Sequence, residues 1–440
     1  MNRIRYIFNE QGLWGSITSF ISAKHTTVRS SATLRSFVKE LGTATNDRNI
    51  ISSTSSVASG IQAAFSNADS TQSSRFFSST FSVLSQHLVK LTDNLTDNVL
   101  PIDIILPKAN AIQMFTRKFI VLVIFAGFLG LFPNYIFHSR TPGLYFGNFF
   151  SGSGASGQQL SCILSYFNIM ANKISSNDQL TLDLVVFERH YRHPSPESFF
   201  TSSTLNIQQT VLIKGFMETH NPGGHVVEAI FGNKVVGSAV LSNVMHQEEI
   251  MMTVAPETLI SRIFHTDLND EDVISFRGLM KFSKYNGYGS SFSYAPANEE
   301  DMYKPLTRVY GSIDALNKGY PQKQFTVQYA LRELNKLLPL LCSDFYGESE
   351  EKHRSPFVTG YWGGGVFGGD IPYKFVIQLL GSCVCNRPMV YSDASNKLDL
   401  NQIRRLESKY MTCGELAKAF FQLQNAGRIT FNNAIGELLK

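Results

Sequence analysis

The run HVVEAIF (His225–Phe231) is followed after a short turn by VGSAVLSNVMHQEEI (Val236–Ile250). The first segment is short, rich in β-branched residues and bounded by Gly and Asn, which predicts a buried strand. Two runs of the same kind precede it, LTLDLVVFER (Leu180–Arg189) and QTVLIKGF (Gln209–Phe216). Beyond it, helical segments alternate with further strands through VAPETLISRIF, DVISFRGLMKFS, TVQYALRELNKLL, YKFVIQLLGSCV and GELAKAFFQLQ. Alternation of this kind predicts an α/β core around a largely buried sheet, and no internal repeat is visible.

Towards the N-terminus the pattern changes. Residues 91–173 read as helical: LSCILSYFNIM (Leu160–Met170) has apolar positions three and four apart, as a helix packed on one face requires. The run Phe119–Phe132 is 14 apolar residues ended by Pro133, short of the roughly 20 that cross a bilayer, so it reads as a buried helix. Between Ile51 and Lys90, 16 of 40 residues are Ser or Thr, a composition expected of a linker or arm ordered only by packing against something else, such as a larger assembly. The first 39 residues hold six basic side chains (Arg3, Arg5, Lys24, Arg29, Arg35, Lys39) against one acid, Glu10, with Ile4, Ile7 and Phe8 at helical spacing. This is the composition of a mitochondrial presequence; a plain basic tail on a nuclear or cytoplasmic protein is the alternative. The expected domains are therefore a presequence (1–40), a Ser/Thr-rich arm (41–90), a helical accessory region (91–180) and the core (181–440).

With 43% apolar and 12% aromatic residues, the 440-residue chain is globular. Its 39 basic and 35 acidic residues are too evenly balanced for a protein that holds nucleic acid by bulk charge, so an anionic ligand would need local geometry. The five cysteines include no CxxC pair, which indicates neither a metal site nor a disulfide framework and suits a reducing compartment.

Three segments carry possible chemistry. In the first, Gln247, Glu248 and Glu249 follow a turn of small residues; adjacent glutamates are usually a solvated pair, but two carboxyls held together raise one pKa and keep a proton near neutral pH. Such a proton can pass to a glycosidic oxygen while the ionised partner steadies an oxocarbenium-like transition state. In the second, TGYWGGGVFGGD (Thr359–Asp370), glycines let backbone amides approach a phosphate beside a following helix N-terminus, although such a loop is more often only a tight turn. The third, FSKYNGYG (Phe282–Gly289), places Tyr285 and Tyr288 beside a flexible Gly, where tyrosines are ordinarily core or rim.

In this order and at these distances the three segments resemble the poly(ADP-ribose) glycohydrolase family. APETLISRIF, SIDALNK (Ser312–Lys318), RELNK (Arg332–Lys336) and LVVFERH (Leu184–His190) are similar to family segments too, so the likeness runs from about residue 95 to the end. It implies an α/β fold with a macrodomain-like mixed sheet flanked by helices, an N-terminal helical layer, and hydrolysis of ribose–ribose bonds of poly(ADP-ribose) without metal or cofactor. Carried over residue by residue, Glu249 matches the family's acid, Glu248 its neighbouring carboxylate and Gln247 a site-lining glutamine. Asn233 matches a ribose contact and Tyr288 a tyrosine beside ADP-ribose, while Gly363, Gly364 and Gly365 with Phe367 match the diphosphate loop.

Several positions depart from the family pattern. Ile230 stands where the family has an aspartate, Ser238 and Ala239 replace glycines, Tyr361 replaces an asparagine, and Ala394 stands where an aromatic ring would stack on adenine, a contact worth about 1–3 kcal/mol. Loss of a positioned acid–base group removes about 10²–10⁴ in rate. The sequence therefore leads to a catalytically impaired protein serving as an accessory component of a mitochondrial assembly, with protein partners. An active glycohydrolase and a non-catalytic ADP-ribose reader are the alternatives. A cleft filled by Tyr361 or Ser238 would favour the first reading, an open cleft the other two.

Overall fold

The structure, a computed structural model, describes residues 11–93, 102–132, 141–151, 156–220, 224–242, 244–317, 323–346 and 354–440. The N-terminal residues Ile4, Ile7, Phe8 and Glu10, and Pro133 after the apolar run, lie outside this set.

The N-terminal third is a helical layer. It comprises α1 (Gln11–Lys24), α2 (Ser31–Thr45), α3 (Arg48–Ser66), α4 (Ser70–Arg75), α5 (Phe81–Leu88), α6 (Arg117–Phe128), α7 (Gly147–Ser151) and α8 (Ser156–Ser175), with α4 and α5 joined through a single wide turn, Phe76–Thr80. The Ser/Thr-rich stretch expected as an arm is thus α3 to α5, packed against the rest of its own chain. Ile50, Val57, Ile61, Ala64 and Phe65 form its buried stripe, and Ser53, Thr54 and Gly60 are buried between them. The small residues allow close packing: a side chain at Gly60 would strike the Phe150 carbonyl of α7, 1.7 Å from the added carbon. Some hydroxyls are satisfied within the helix, Thr54 Oγ1 donating to Ile50 O at 2.7 Å and Ser59 Oγ to Ser56 O at 2.6 Å, whereas the buried Ser53 Oγ meets no partner among the described residues. Composition predicted too little apolar surface to fold, whereas spacing and close approach supply it.

Residues 11–40 of the segment expected as a presequence are likewise built into this layer. Trp14, Ile17 and Ile21 of α1 and Leu34, Phe37, Val38 and Leu41 of α2 share one core with α6 and α8, and Trp14 Nε1 donates to Thr92 Oγ1 at 2.9 Å. The apolar run is α6, buried as expected, and no helix among the described residues is long and apolar enough to cross a membrane.

Among the described residues, ten strands follow or interrupt the helices: β1 (Ala111–Thr116), β2 (Leu184–Tyr191), β3 (Val211–Ile213), β4 (Val226–Gly232), β5 (Asp272–Arg277), β6 (Lys284–Asn286), β7 (Ser293–Ala295), β8 (Arg308–Asp314), β9 (Phe357–Thr359) and β10 (Met389–Ser392). Eight make one mixed sheet in the order β1-β2-β5-β8-β4-β9-β10-β3, and β6 and β7 pair separately. From β8 to β3 the neighbours are parallel, and from β1 to β8 antiparallel. Because β1 lies within residues 91–180, the region expected as a helical accessory layer also contributes an edge strand.

One sheet face packs on the helical layer through Phe115, Phe187, Ile230, Phe276 and Tyr310. After the short helices α9 (Glu197–Thr201), α10 (Gln247–Val254) and α11 (Glu299–Tyr303), the chain builds a second layer. It meets the other face, with Val227, Ala229, Val309, Phe357 and Val390, and is formed mainly by α12 (Val327–Leu341), α13 (Ile371–Val384) and, beyond α14 (Leu400–Lys409), α15 (Cys413–Asn425). At the joint, buried Arg117 pairs with Glu257, and Glu257 Oε2 also accepts the Met280 amide at 3.1 Å. Contrary to the expectation from cysteine spacing, Cys342 and Cys385 form a disulfide linking the residues that follow α12 and α13, with Cα atoms 5.0 Å apart.

Candidate active site

The carboxyl-terminal ends of the parallel strands open onto a cleft of about 610 Å³. Its wall is drawn from separate segments: the end of β4 with Asn233 (Phe231–Asn233), the turn carrying Ser238 and Ala239, the start of α10 (Gln247–Val254), Gly360–Phe367 after β9, and Ser392 at the end of β10 with Ala394 and Ser395 beyond it.

Glu248 and Glu249 occupy the first turn of α10 and are buried. Glu248 reaches back to the tip of β4: the Asn233 amide donates to its Oε2 at 3.4 Å and Ser312 Oγ to its Oε1 at 3.5 Å. Gly232 leaves room for it, since a side chain there would come within 2.7 Å of Glu248 Oε1. Burial first, then the charge of Glu249, pushes the Glu248 carboxyl up to about 8, while the amides of Gly237 and Asn233 and the Arg262 guanidinium pull the other way. Glu249 accepts the His246 amide at 3.1 Å as a helix-capping carboxylate, and burial raises its carboxyl too. The pair thus holds a proton at neutral pH. The resemblance assigns the acid to Glu249, whereas the stronger burial and the neighbouring charge act on Glu248, so the dyad is best treated as one proton-carrying unit.

Gln247 lines the cleft but is committed to the sheet. Its Oε1 accepts the Phe231 amide at 2.8 Å and its Nε2 donates to Ala229 O at 3.3 Å, fixing α10 against β4. Asn233 is exposed at the cleft, and Tyr288 lines it with a phenol raised by burial to about 12, which therefore stays neutral. Gly363, Gly364, Gly365 and Phe367 form the opposite wall. Gly363 has φ +69°, and the loop is held by the Gly369 amide donating to Gly363 O at 2.8 Å and the Gly364 amide to Tyr361 O at 2.8 Å. Trp362 beneath it is fully buried, with Nε1 donating to Ile313 O at 3.2 Å. The α13 N-terminus is already capped by Asp370, which accepts the Tyr373 amide at 2.9 Å and the Asn432 amide at 2.6 Å. An anion would therefore meet the loop rather than the helix end expected from sequence.

The departures from the family pattern fall differently from one another. Ser238, Ala239, Tyr361 and Ala394 line the cleft. Tyr361 does not fill it: its hydroxyl donates to Asp393 and accepts the Ser395 amide at 3.1 Å, which ties the ring back to the loop after β10. Ile230 points into the core between sheet and helical layer and is absent from the cleft wall. Four residues of the site stand outside the three segments that carry possible chemistry: Phe216 and Glu218 in the cleft wall, and Arg262 and Ser312 beside Glu248. Arg262, a buried cation inside the largely apolar LISRIF, was the one detectable signal; its Nε donates to Gly143 O at 2.8 Å. No cluster of metal-binding side chains occurs among the described residues.

Residues 198–400 match the model of the poly(ADP-ribose) glycohydrolase macrodomain fold, and residues 68–189 that of the helical domain of the same enzymes. The chain belongs to the poly(ADP-ribose) glycohydrolase family. Among its relatives, probable poly(ADP-ribose) glycohydrolase 2 of Arabidopsis thaliana is 25% identical over 390 residues, 77% of this chain and 74% of that protein. Poly(ADP-ribose) glycohydrolases 2 and 1 of Caenorhabditis elegans are 28% and 30% identical over 37% and 45% of this chain. These matches span only 36% and 27% of the C. elegans proteins. The family's two-part organisation, helical domain then macrodomain, corresponds to the helical layer and sheet described above.

Proposed function

We propose that this chain binds ADP-ribose units in the cleft and hydrolyses the glycosidic bonds of poly(ADP-ribose). The observation that carries the proposal is the open cleft of about 610 Å³ with a proton-holding carboxyl pair in its wall. As the anomeric C–O bond breaks, the pair's proton passes to the departing ribose oxygen, and the ionised carboxylate stabilises the positive charge on the sugar. Water then adds to the anomeric carbon and returns a proton to the pair. Asn233 and Tyr288 border the sugar, and the Gly363–Gly365 loop faces the diphosphate. The side chains of Ser238 and Ala239 narrow the approach to the ribose, so turnover is impaired relative to an enzyme with glycine at both positions.

The test is ADP-ribose release from automodified substrate by wild type and by Glu248→Gln and Glu249→Gln. Release abolished in either variant supports the enzyme. The aromatic lining by Phe216, Phe231, Tyr288 and Phe367 favours a second reading, a reader that binds without cleaving; ADP-ribose binding with no release would establish it.

Mitochondrial placement is supported by the composition of residues 1–39, whereas service in an assembly loses the support that the Ser/Thr-rich stretch lent it, because that stretch packs on its own chain. Because α1 and α2 are packed in the core, we further propose that this segment is retained. N-terminal sequencing of the protein recovered from fractionated cells tests both points: a mature chain beginning after residue 40 would overturn retention, and exclusion from mitochondria would overturn the address.

A further inference from the structure

Two large side chains of the cleft are left facing solvent: Phe216 is 47% exposed and Tyr288 40%. Their rings are parallel to within 7° with centroids 6.1 Å apart, and the Tyr288 ring in turn lies 6.1 Å from that of His246, the residue preceding α10. A row of rings therefore runs from the lip of the cleft to the helix bearing the carboxyl pair. Leaving apolar surface open in this way is unfavourable unless a ligand covers it.

The position of Phe216 is fixed by its backbone. Ser392 Oγ donates to Gly215 O at 2.6 Å and the Asp393 amide to Ile213 O at 2.9 Å, while Met217 on its other side is buried. These bonds hold Phe216 near Ala394 and Ser395, small residues of the same cleft. We propose that Phe216, backed by Tyr288, is the face on which the ligand stacks its base, making it a residue that selects base-bearing ligands over bare sugar phosphates. The inference rests on the reading of the cleft as an ADP-ribose site.

Titration calorimetry with ADP-ribose, together with the adenine difference spectrum, tests it on wild type, Phe216→Ala, Phe216→Leu and Phe216→Tyr. Wild type and Phe216→Tyr should bind with a stacked-base hypochromic signal. Phe216→Ala and Phe216→Leu should bind roughly tenfold to a hundredfold more weakly and lose that signal. Binding and spectrum unchanged in Phe216→Ala overturn the inference and leave the ADP-ribose site intact. Equal loss in all three variants also overturns it, because the residue would then only shape the cleft. No binding of ADP-ribose by folded wild type removes the reading of the cleft and the inference with it.

Discussion

The Lys374 ammonium lies 4.3 Å from the centroid of the Trp362 ring and pairs with Glu333, so one buried cation joins α12, α13 and the floor of the glycine loop. All three residues are buried, and Gly363 follows Trp362 directly. Lys374→Met leaves Glu333 without this cation and should cost about 3–5 kcal/mol in chemical denaturation, with ADP-ribose affinity falling alongside. The double variant Lys374→Met/Glu333→Leu should recover much of the stability.

Restoring an aspartate at Ile230 is the change that sequence comparison invites. Since Ile230 is in the core, Ile230→Asp should gain no activity and should lose about 3 kcal/mol or more by burying an unpaired carboxyl, measured by thermal melts. In contrast, Ser238→Gly with Ala239→Gly acts in the cleft wall and should raise kcat/KM on the order of tenfold.

Release should depend on pH through the carboxyl pair. With Glu248 raised to about 8, activity should persist to that pH and fall above it, and Glu248→Gln should remove both the alkaline limb and about 10²–10⁴ in rate. Stability follows the same group. The native state binds a proton that the unfolded chain releases near 4.3, so the advantage is full below that value and is lost as pH rises towards 8. Glu248→Gln should accordingly flatten the decline in denaturation midpoint between these limits.

His265 gives the opposite dependence. Both its ring nitrogens are buried without a hydrogen-bond partner among the described residues, and burial, with the nearby Arg189 charge, holds its pKa well below the usual value. The unfolded chain takes up a proton near pH 6.5 that the native state refuses, so stability falls as pH drops through that region. His265→Leu should lessen this acid loss in denaturation curves measured at successive pH values.

Much of the core was legible because periodicity survives without context: HVVEAIF became β4, TVQYALRELNKLL became α12, and the QEE and GGG segments met across one cleft. The three-residue β9 and β3 and the four-residue β10 are too short for periodicity to mark their limits, and neither β9 nor β10 was singled out. The Ser/Thr-rich helices were misread because composition counts hydroxyls and ignores that helices built of small residues can pack closely. Phe216 was hidden for another reason: in sequence it ends a strand, and only the β3–β10 pairing carries it to the cleft.

That pairing also imposes a schedule on the chain as it leaves the ribosome. β3 is made near the midpoint of the chain, yet it lies at the sheet edge and its partner is β10, whose residues come some 180 positions later. Until residue 392 has emerged, the segment that presents Phe216 has no strand to lie against, and the glycine loop between β9 and β10 has only one side of its frame. A ribosome stalled before that point would display a helical layer and most of a sheet, but a cleft without its second wall. The last tenth of synthesis then adds α14 (Leu400–Lys409), α15 and α16 (Ala434–Leu439), which close the second helical layer over the sheet.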